Sequence, residues 1–321
     1  MDVFLTSDVE IWCTGWKDID AKFPLAFKRY VYGATPRGDY GLPHQLSLLN
    51  EHGLTGVFFV EPLFAGRFGL PPLTEIVQLI AGAGQEVQLH LHTEWVDEAR
   101  LPMLGGAPST SKRPFLRQFS LDDQTCLIGI GKALLEQAGA AAPNAFRAGS
   151  FGMDHRTLAA LEANGIRFDS SYNASTSGLR SGILPGQVLT DCIQLGAVHE
   201  YPMTVFDDGF GSLRHAQLTA CSIREMESLL WQALERGQQG FVILSHNFEL
   251  MNPGLTGADD IVIKRYKWLC EFLDRNRDCF QTRGFHGLEP KPPAVQPAAL
   301  ASTRFNTGLR MIEQFYRRKY V

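Results

Sequence analysis

Asp8 and Glu10 stand two residues apart in the segment TSDVE (6–10). Behind an apolar run, that spacing sends both carboxylates to one side of a strand. Two acids aimed into one cavity repel unless a proton or cation divides their charges. One can then bind a metal while the other accepts a proton. The spacing recurs in HLHTE (90–94), where His90, His92 and Glu94 are all ligand types for zinc and similar divalent ions. Arg147 opens RAGSFG, and a guanidinium beside a carboxylate base orients it and keeps it ionised. The small residues after it, Ser150 among them, let backbone N–H groups approach a substrate oxygen. Asp169 in FDSS can hold a histidine in one tautomer. His246 ends the run FVILSH, where an imidazole can serve as a general acid. Together these are the parts of a metal-assisted hydrolase. Each alone has a plainer reading: solvated acids, a rim histidine, a loop arginine, a turn. The other histidines (44, 52, 155, 199, 215 and 286) lack comparable company and read as structural.

What binds the motifs together is position, each just past an apolar β-like run. Seven runs stand out: Val3–Ser7, Gly56–Val60, Val87–His90, Ala145–Arg147, Ile166–Asp169, His199–Met203 and Phe241–Ser245. Continuous apolar stretches such as VFFV and FVIL fit strands covered on both faces, as in a parallel sheet. Helical patterns lie between them. Thr74–Ala83 is amphipathic. Ser120 with Asp123, Asp154, and Ser222 with Glu225 supply N-terminal caps, and Gly237 a stop. Alternating elements of this length mean βα units, and in a closed parallel barrel the strand C-termini share one face. Two segments, Gly15–Leu42 and Leu101–Arg117, read as irregular loops able to wall a site.

Composition bounds the rest. The 321 residues are 45% hydrophobic and 20% charged, with net charge -4, ordinary for one large soluble domain. That charge argues against nucleic acid as a partner. Six scattered cysteines without a C-x-x-C pair read as free thiols of a reducing compartment. No signal-peptide pattern or membrane-spanning run is visible, so a cytoplasmic location is expected. The barrel pattern fades near residue 288. Residues 289–302 read as a Pro-rich extended linker and 303–321 as a basic helix with Leu309, Ile312 and Phe315 on one side. That helix could lie peripherally on the inner membrane face, dock on a partner, or stand solvated.

Over residues 1–286, and in motif order, the chain resembles the polysaccharide deacetylase family, also called the NodB-homology domain or carbohydrate esterase family four. The resemblance implies a distorted (β/α)7 barrel and metal-dependent removal of acetyl from N-acetylated sugars. It implies a divalent cofactor, zinc first, with Glu10 and His90 as ligands and either His92 or Glu94 completing the set. Asp8 then matches the base, Arg147 the arginine holding it, Asp169 the acid tuning the catalytic histidine, and His246 that histidine. Leu244 matches the residue lining the acetyl pocket. TSDVE replaces the common T-F-D-D-G, and Glu94 stands where a second histidine is usual. Likeness to divergent members points to an N-acetylated precursor of a surface polysaccharide: nucleotide-linked, lipid-linked or a growing chain. Trp12, Trp16, Tyr30, Tyr32 and Trp95 are available to stack on sugar rings. Rival readings are a non-catalytic sugar-binding relative, another His-x-His hydrolase acting on a different C–N or ester bond, and a barrel glycosidase using Asp8 and Glu10.

Overall fold

The computed structural model describes residues 1–99, 112–176 and 181–320, with side chains to 317. Each of the seven expected runs forms a strand: β1 (Asp2–Val9), β2 (Gly56–Val60), β3 (Glu86–Leu91), β4 (Ala145–Ala148), β5 (Phe168–Asp169), β6 (Val198–Glu200) and β7 (Gly240–His246). They pair in parallel in the order β7-β1-β2-β3-β4-β5-β6, with Ile193–Leu195 antiparallel on the outer edge of β6. Chain order therefore equals spatial order, except that the last strand returns beside the first. This is the curled α/β sheet of a distorted (β/α)7 barrel.

The distortion lies where β6 and β7 would meet. β7 is joined there by an irregular segment. Leu244 N–H donates to the Ala216 carbonyl (2.9 Å), Leu218 N–H donates to the Leu244 carbonyl (3.0 Å), and Ala216 N–H donates to the Thr204 carbonyl (2.7 Å). The closing segment has no apolar run of its own, because it only bridges.

Alternate side chains fill the barrel. Phe4, Val57, Phe59, Phe168, Val242 and Leu244 form the inner cluster. Phe285 stacks on Phe4 at 5.0 Å and plugs the N-terminal end. The opposite faces pack on helices α1 (Ile19–Phe27), α2 (Leu42–Glu51), α3 (Leu70–Gly82), α4 (Leu121–Gln137), α5 (His155–Ala163), α6 (Ile223–Glu235) and α7 (Asp260–Arg275). Expected caps are made: Ser120 Oγ accepts from Asp123 N–H, Asp154 caps α5, and Ser222 with Glu225 closes a capping box on α6. Such caps contribute about 1 kcal/mol each.

Two sequence expectations change here. Gly15–Leu42 is not irregular throughout. It contains α1, hidden because Pro24 interrupts the pattern, and a short hairpin of Ala34–Thr35 with Gly38–Asp39. Of Leu101–Arg117, residues 101–111 lie outside the described set. The Pro-rich stretch runs extended but is fastened: Gln296 Oε1 accepts from Thr190 and Asp191 N–H (both 2.9 Å), and Leu300–Ala301 pairs with Val205–Asp207.

The terminal helix α8 (Arg304–Tyr320) also departs from a solvated basic helix. Arg310 turns inward to Glu225 (3.1 Å), and this pair is 3% and 0% exposed. Arg317 pairs with buried Asp259, and Glu313 with Arg265. The outward face is apolar instead: Phe305, Ile312 and Phe315 are 66%, 68% and 67% exposed. Among the described residues no helix is long and apolar enough to cross a membrane. All six cysteines are free thiols.

Candidate metal centre and active site

Asp8 and Glu10 project from the C-terminal end of β1 into the barrel mouth, and parallel pairing sets Asp8 beside His246 and His90 beside Arg147. Glu10 Oε1 is the focus. His90 Nε2 lies 3.1 Å from it and His92 Nε2 2.8 Å. The far nitrogens are engaged: His90 Nδ1 is 2.8 Å from the Arg147 carbonyl and His92 Nδ1 is 3.2 Å from Glu94 Oε2. A carbonyl and a carboxylate accept only, so each Nδ1 carries the hydrogen. In the neutral rings both Nε2 lone pairs then point at a carboxylate oxygen. That arrangement requires a cation or a proton at its centre. Glu10, His90 and His92 bring one ligand atom each within 4.8 Å of one another. Two imidazoles and one carboxylate, with outer hydrogen bonds on both rings, fit a zinc-type ion. When a proton takes the ion's place, burial opposes charge, but the pairing wins: Glu10 is held well below the usual carboxylate range and His92 well above the usual imidazole range.

Glu94 is not in this group. The chain leaves the strand after Leu91 and turns through Thr93–Trp95, so strand spacing no longer applies. The turn carries the Glu94 carboxylate to the outer edge of His92. Of the two residues that the sequence left open, His92 is the one that faces Glu10 beside His90, and Glu94 meets its outer nitrogen.

Asp8 is held from the opposite side. Arg147 is fully buried. It donates from Nη1 to Asp8 Oδ1 (2.6 Å) and Thr6 Oγ1 (2.9 Å), from Nε to the Ser170 carbonyl (3.0 Å), and from Nη2 to Ser170 Oγ (3.1 Å). The guanidinium also lies 4.2 Å from the Phe59 ring centre. Asp8 Oδ2 remains on the site side, 3.9 Å from His90 Nε2.

His246 completes the group, with Nε2 4.0 Å from Glu10 Oε1. Its Nδ1 pairs at 2.8 Å with Glu249, not with Asp169. Burial lowers the ring's proton affinity, but Glu249, Glu10 and Asp8 outweigh it and lift the pKa to about 9. Asp169 sits deeper, beneath Arg147. Its Oδ1 accepts from Ser171 Oγ, and it aligns with Glu200 on β6. Neither Asp169 Oδ2 nor Glu200 Oε2 has a hydrogen-bond donor among the described groups, and burial raises the pKa of both carboxyls. The expected Asp169–His246 contact is therefore absent: β5 ends too low in the barrel to reach the mouth.

The expected substrate contacts divide. Leu244 is buried in the inner cluster, with Phe151 packed against that cluster. Ser150 and Phe151 both take left-handed backbone conformations (φ 52° and 58°), strain that clusters at functional sites. Gly149 permits this turn to touch the centre. A Cβ there would meet the Leu91 carbonyl at 2.6 Å and the His92 ring at 2.8 Å. Trp95 is 1% exposed behind Trp16, so its ring does not face a ligand. Half-buried Trp12 is placed better: its indole donates to Glu10 Oε2 (2.7 Å) and its ring edge meets His92. The motifs also missed Glu61, at the end of β2, whose carboxyl accepts from His92 and Leu63 N–H. Burial pushes Glu61 up to about 8 despite these donors. An acid directly after VFFV was the available signal.

No protein-family model and no curated protein matches the chain. Solved structures do. A Mycobacterium smegmatis protein provisionally designated a polysaccharide deacetylase superposes with TM-score 0.54 at 20% identity, covering 92% of this chain and 93% of that one. The chain has the polysaccharide deacetylase fold. A family 4 carbohydrate esterase from Streptomyces lividans, solved with acetate, is 11% identical with TM-score 0.44, covering 94% and 97%. A family 4 pseudoenzyme from Bacillus anthracis is 12% identical with TM-score 0.46, covering 94% and 69%. In this deacetylase fold, Asp8, Glu10, His90, His92, Arg147 and His246 occupy one mouth.

Proposed function

We propose that the protein is a metal-dependent hydrolase that removes acetyl from an N-acetylated sugar. One observation carries the reading: two imidazole lone pairs and a carboxylate oxygen converge beside an arginine-held carboxylate and a histidine. Glu10, His90 and His92 would hold the divalent ion, zinc first by donor type. Such an ion supplies Lewis acidity, polarising the acetyl carbonyl and acidifying a water.

The chain's own residues do the rest. Asp8 accepts the proton of the attacking water at Oδ2, the oxygen that Arg147 leaves unengaged. Arg147 fixes Asp8 in direction. Ser150 and its neighbours offer backbone N–H groups to the oxygen that gains charge. His246 donates from Nε2 to the leaving nitrogen, and the Glu249 carboxylate at Nδ1 favours its protonated form. Leu244 and Phe151 form the apolar wall for the acetyl methyl, and Trp12 and Trp16 face the sugar ring. Acetate and a free amino sugar leave.

The expected substrate is a surface-polysaccharide precursor handled in the cytoplasm, nucleotide-linked, lipid-linked or growing at the inner membrane face. The exposed apolar face of α8 supports peripheral contact with that surface. The decisive experiment is acetate release from a panel of N-acetylated sugar donors, abolished by chelator and restored by zinc. A protein with metal bound that frees no acetate from any donor would overturn catalysis and leave sugar binding alone.

A further inference from the structure

The groups behind His246 form a chain that the five motifs do not contain. Glu249, three residues on and 7% exposed, accepts at Oε1 from three sides: His246 Nδ1 (2.8 Å), Gln217 Nε2 and Thr219 Oγ1 (3.4 Å). The other end of the Gln217 amide, Oε1, lies 3.0 Å from His215 Nε2, and His215 Nδ1 lies 2.9 Å from Ser175 Oγ. The directions follow from donor inventory. A carboxylate only accepts, so Gln217 must turn its NH2 to Glu249 and its carbonyl to His215. His215 must then carry a hydrogen on Nε2. Burial lowers the His215 pKa and favours that neutral ring.

The chain is rooted in the barrel. Gln217 pairs with Leu244 in the main-chain bridge that closes the seam, two residues before His246 on the same strand. Both the histidine and the group steadying its carboxylate therefore move with β7. The other charged groups facing the His246 ring are Glu10 and Asp8 on β1. Neither lies on its Nδ1 side.

We propose that Glu249 is the positioning residue of His246, held in place by Gln217 and His215, and that Asp169 has no part in it. This rests on the reading of His246 as the proton donor to the leaving nitrogen. Glu249 fixes Nδ1 as a donor, turning Nε2 and its proton toward the reacting atoms. A buried carboxylate with only one strong donor would swing. The seam-anchored Gln217 and its His215–Ser175 extension hold it.

The test uses the full-length zinc-loaded protein and imidazole proton–nitrogen NMR, which needs no substrate. His246→Gln assigns the ring's resonances. Wild type should show a low-field Nδ1–H proton for His246. Glu249→Gln should abolish it, Gln217→Leu should broaden or shift it, and Asp169→Asn should leave it in place. With an acetylated sugar that is turned over, Glu249→Gln should lower kcat about 100-fold with KM unchanged, and Glu249→Asp should recover part of the loss. A low-field proton retained in Glu249→Gln, or lost in Asp169→Asn, overturns the assignment. Absence of acetate release from wild type, with the NMR pattern intact, counts against the deacetylase reading and not against this pairing.

Discussion

Glu200→Gln should make the protein more stable at high pH and leave it little changed at low pH. Asp169 and Glu200 face each other across β5 and β6, both 0% exposed, and each has one oxygen without another donor. Two carboxylates cannot both ionise there, so the pair keeps a proton that the unfolded chain would release. Burial is the main cause, raising Asp169 from 3.8 to about 6 against the pull of Arg147, and raising Glu200 further. A carboxyl whose folded pKa is raised stabilises the fold below its unfolded pKa. That contribution is lost as pH rises through the folded value. The Asp169 rise of about two units, at about 1.36 kcal/mol each, alone gives about 3 kcal/mol lost between pH 4 and pH 8, and Glu200 adds to it. In Glu200→Gln, Oε1 can still accept from Tyr172 N–H (3.0 Å in the wild type), while the amide nitrogen takes the place of Oε2 and donates to Asp169. No shared proton is then needed. Urea unfolding of both proteins from pH 4 to pH 8 measures the difference. The variant's advantage should grow by at least about 3 kcal/mol across that range. Parallel stability curves, within about 0.5 kcal/mol, would refute the shared proton.

Gly149→Ala places a methyl 2.8 Å from the His92 ring. It should cost about 1–3 kcal/mol and lower zinc content on elemental analysis, whereas Gly139→Ala, in open space, should keep full zinc. Glu94→Gln should weaken zinc affinity about 10- to 100-fold in a competition titration, the effect of losing an outer-layer partner. Near-total loss would instead make Glu94 a ligand. Arg310→Leu strands Glu225 as a buried charge at 0% exposure and should cost about 3 kcal/mol in urea unfolding. Phe305→Ser with Ile312→Ser and Phe315→Ser should reduce sedimentation with phosphatidylglycerol vesicles. Unchanged vesicle binding would remove the membrane role of α8.

The strands were legible because covering both faces of a parallel sheet demands continuous apolar runs, and VFFV and FVIL admit few other readings. The convergence of Asp8, Glu10, His90, Arg147 and His246 was legible for the same reason, since parallel strands deliver their C-terminal ends to one mouth. What could not be read lies where the backbone leaves the strand. Glu94 was placed by extrapolating strand spacing through a residue that is already turning. Trp95, on the same turn, rotates behind Trp16 rather than into the mouth. Asp169 kept its strand but not its height, because β5 stops after two residues. Glu249 pairs with His246 through a turn after β7, and no strand periodicity encodes that contact. α8 was legible as amphipathic, yet Arg310 and Arg317 face the barrel because buried acids on α6 and beside α7 await them.

The geometry of the centre follows one rule that its sequence departures obey. Every group in the mouth has its far atom tied: His90 to the Arg147 carbonyl, His92 to Glu94, His246 to Glu249, Glu10 to Trp12 and Asp8 to Arg147. The near atoms are thereby turned inward, where lone pairs face lone pairs. An arrangement that unfavourable to itself persists only if the surrounding structure over-determines it and a cation or a proton relieves it. This explains how a carboxylate can stand at position 94 without costing the site its imidazoles. His92, one residue past the end of β3, still faces the mouth beside His90, and Glu94 ties its outer nitrogen. On the proposed reading His92 binds the ion and Glu94 holds His92, so two imidazoles and a carboxylate still face inward.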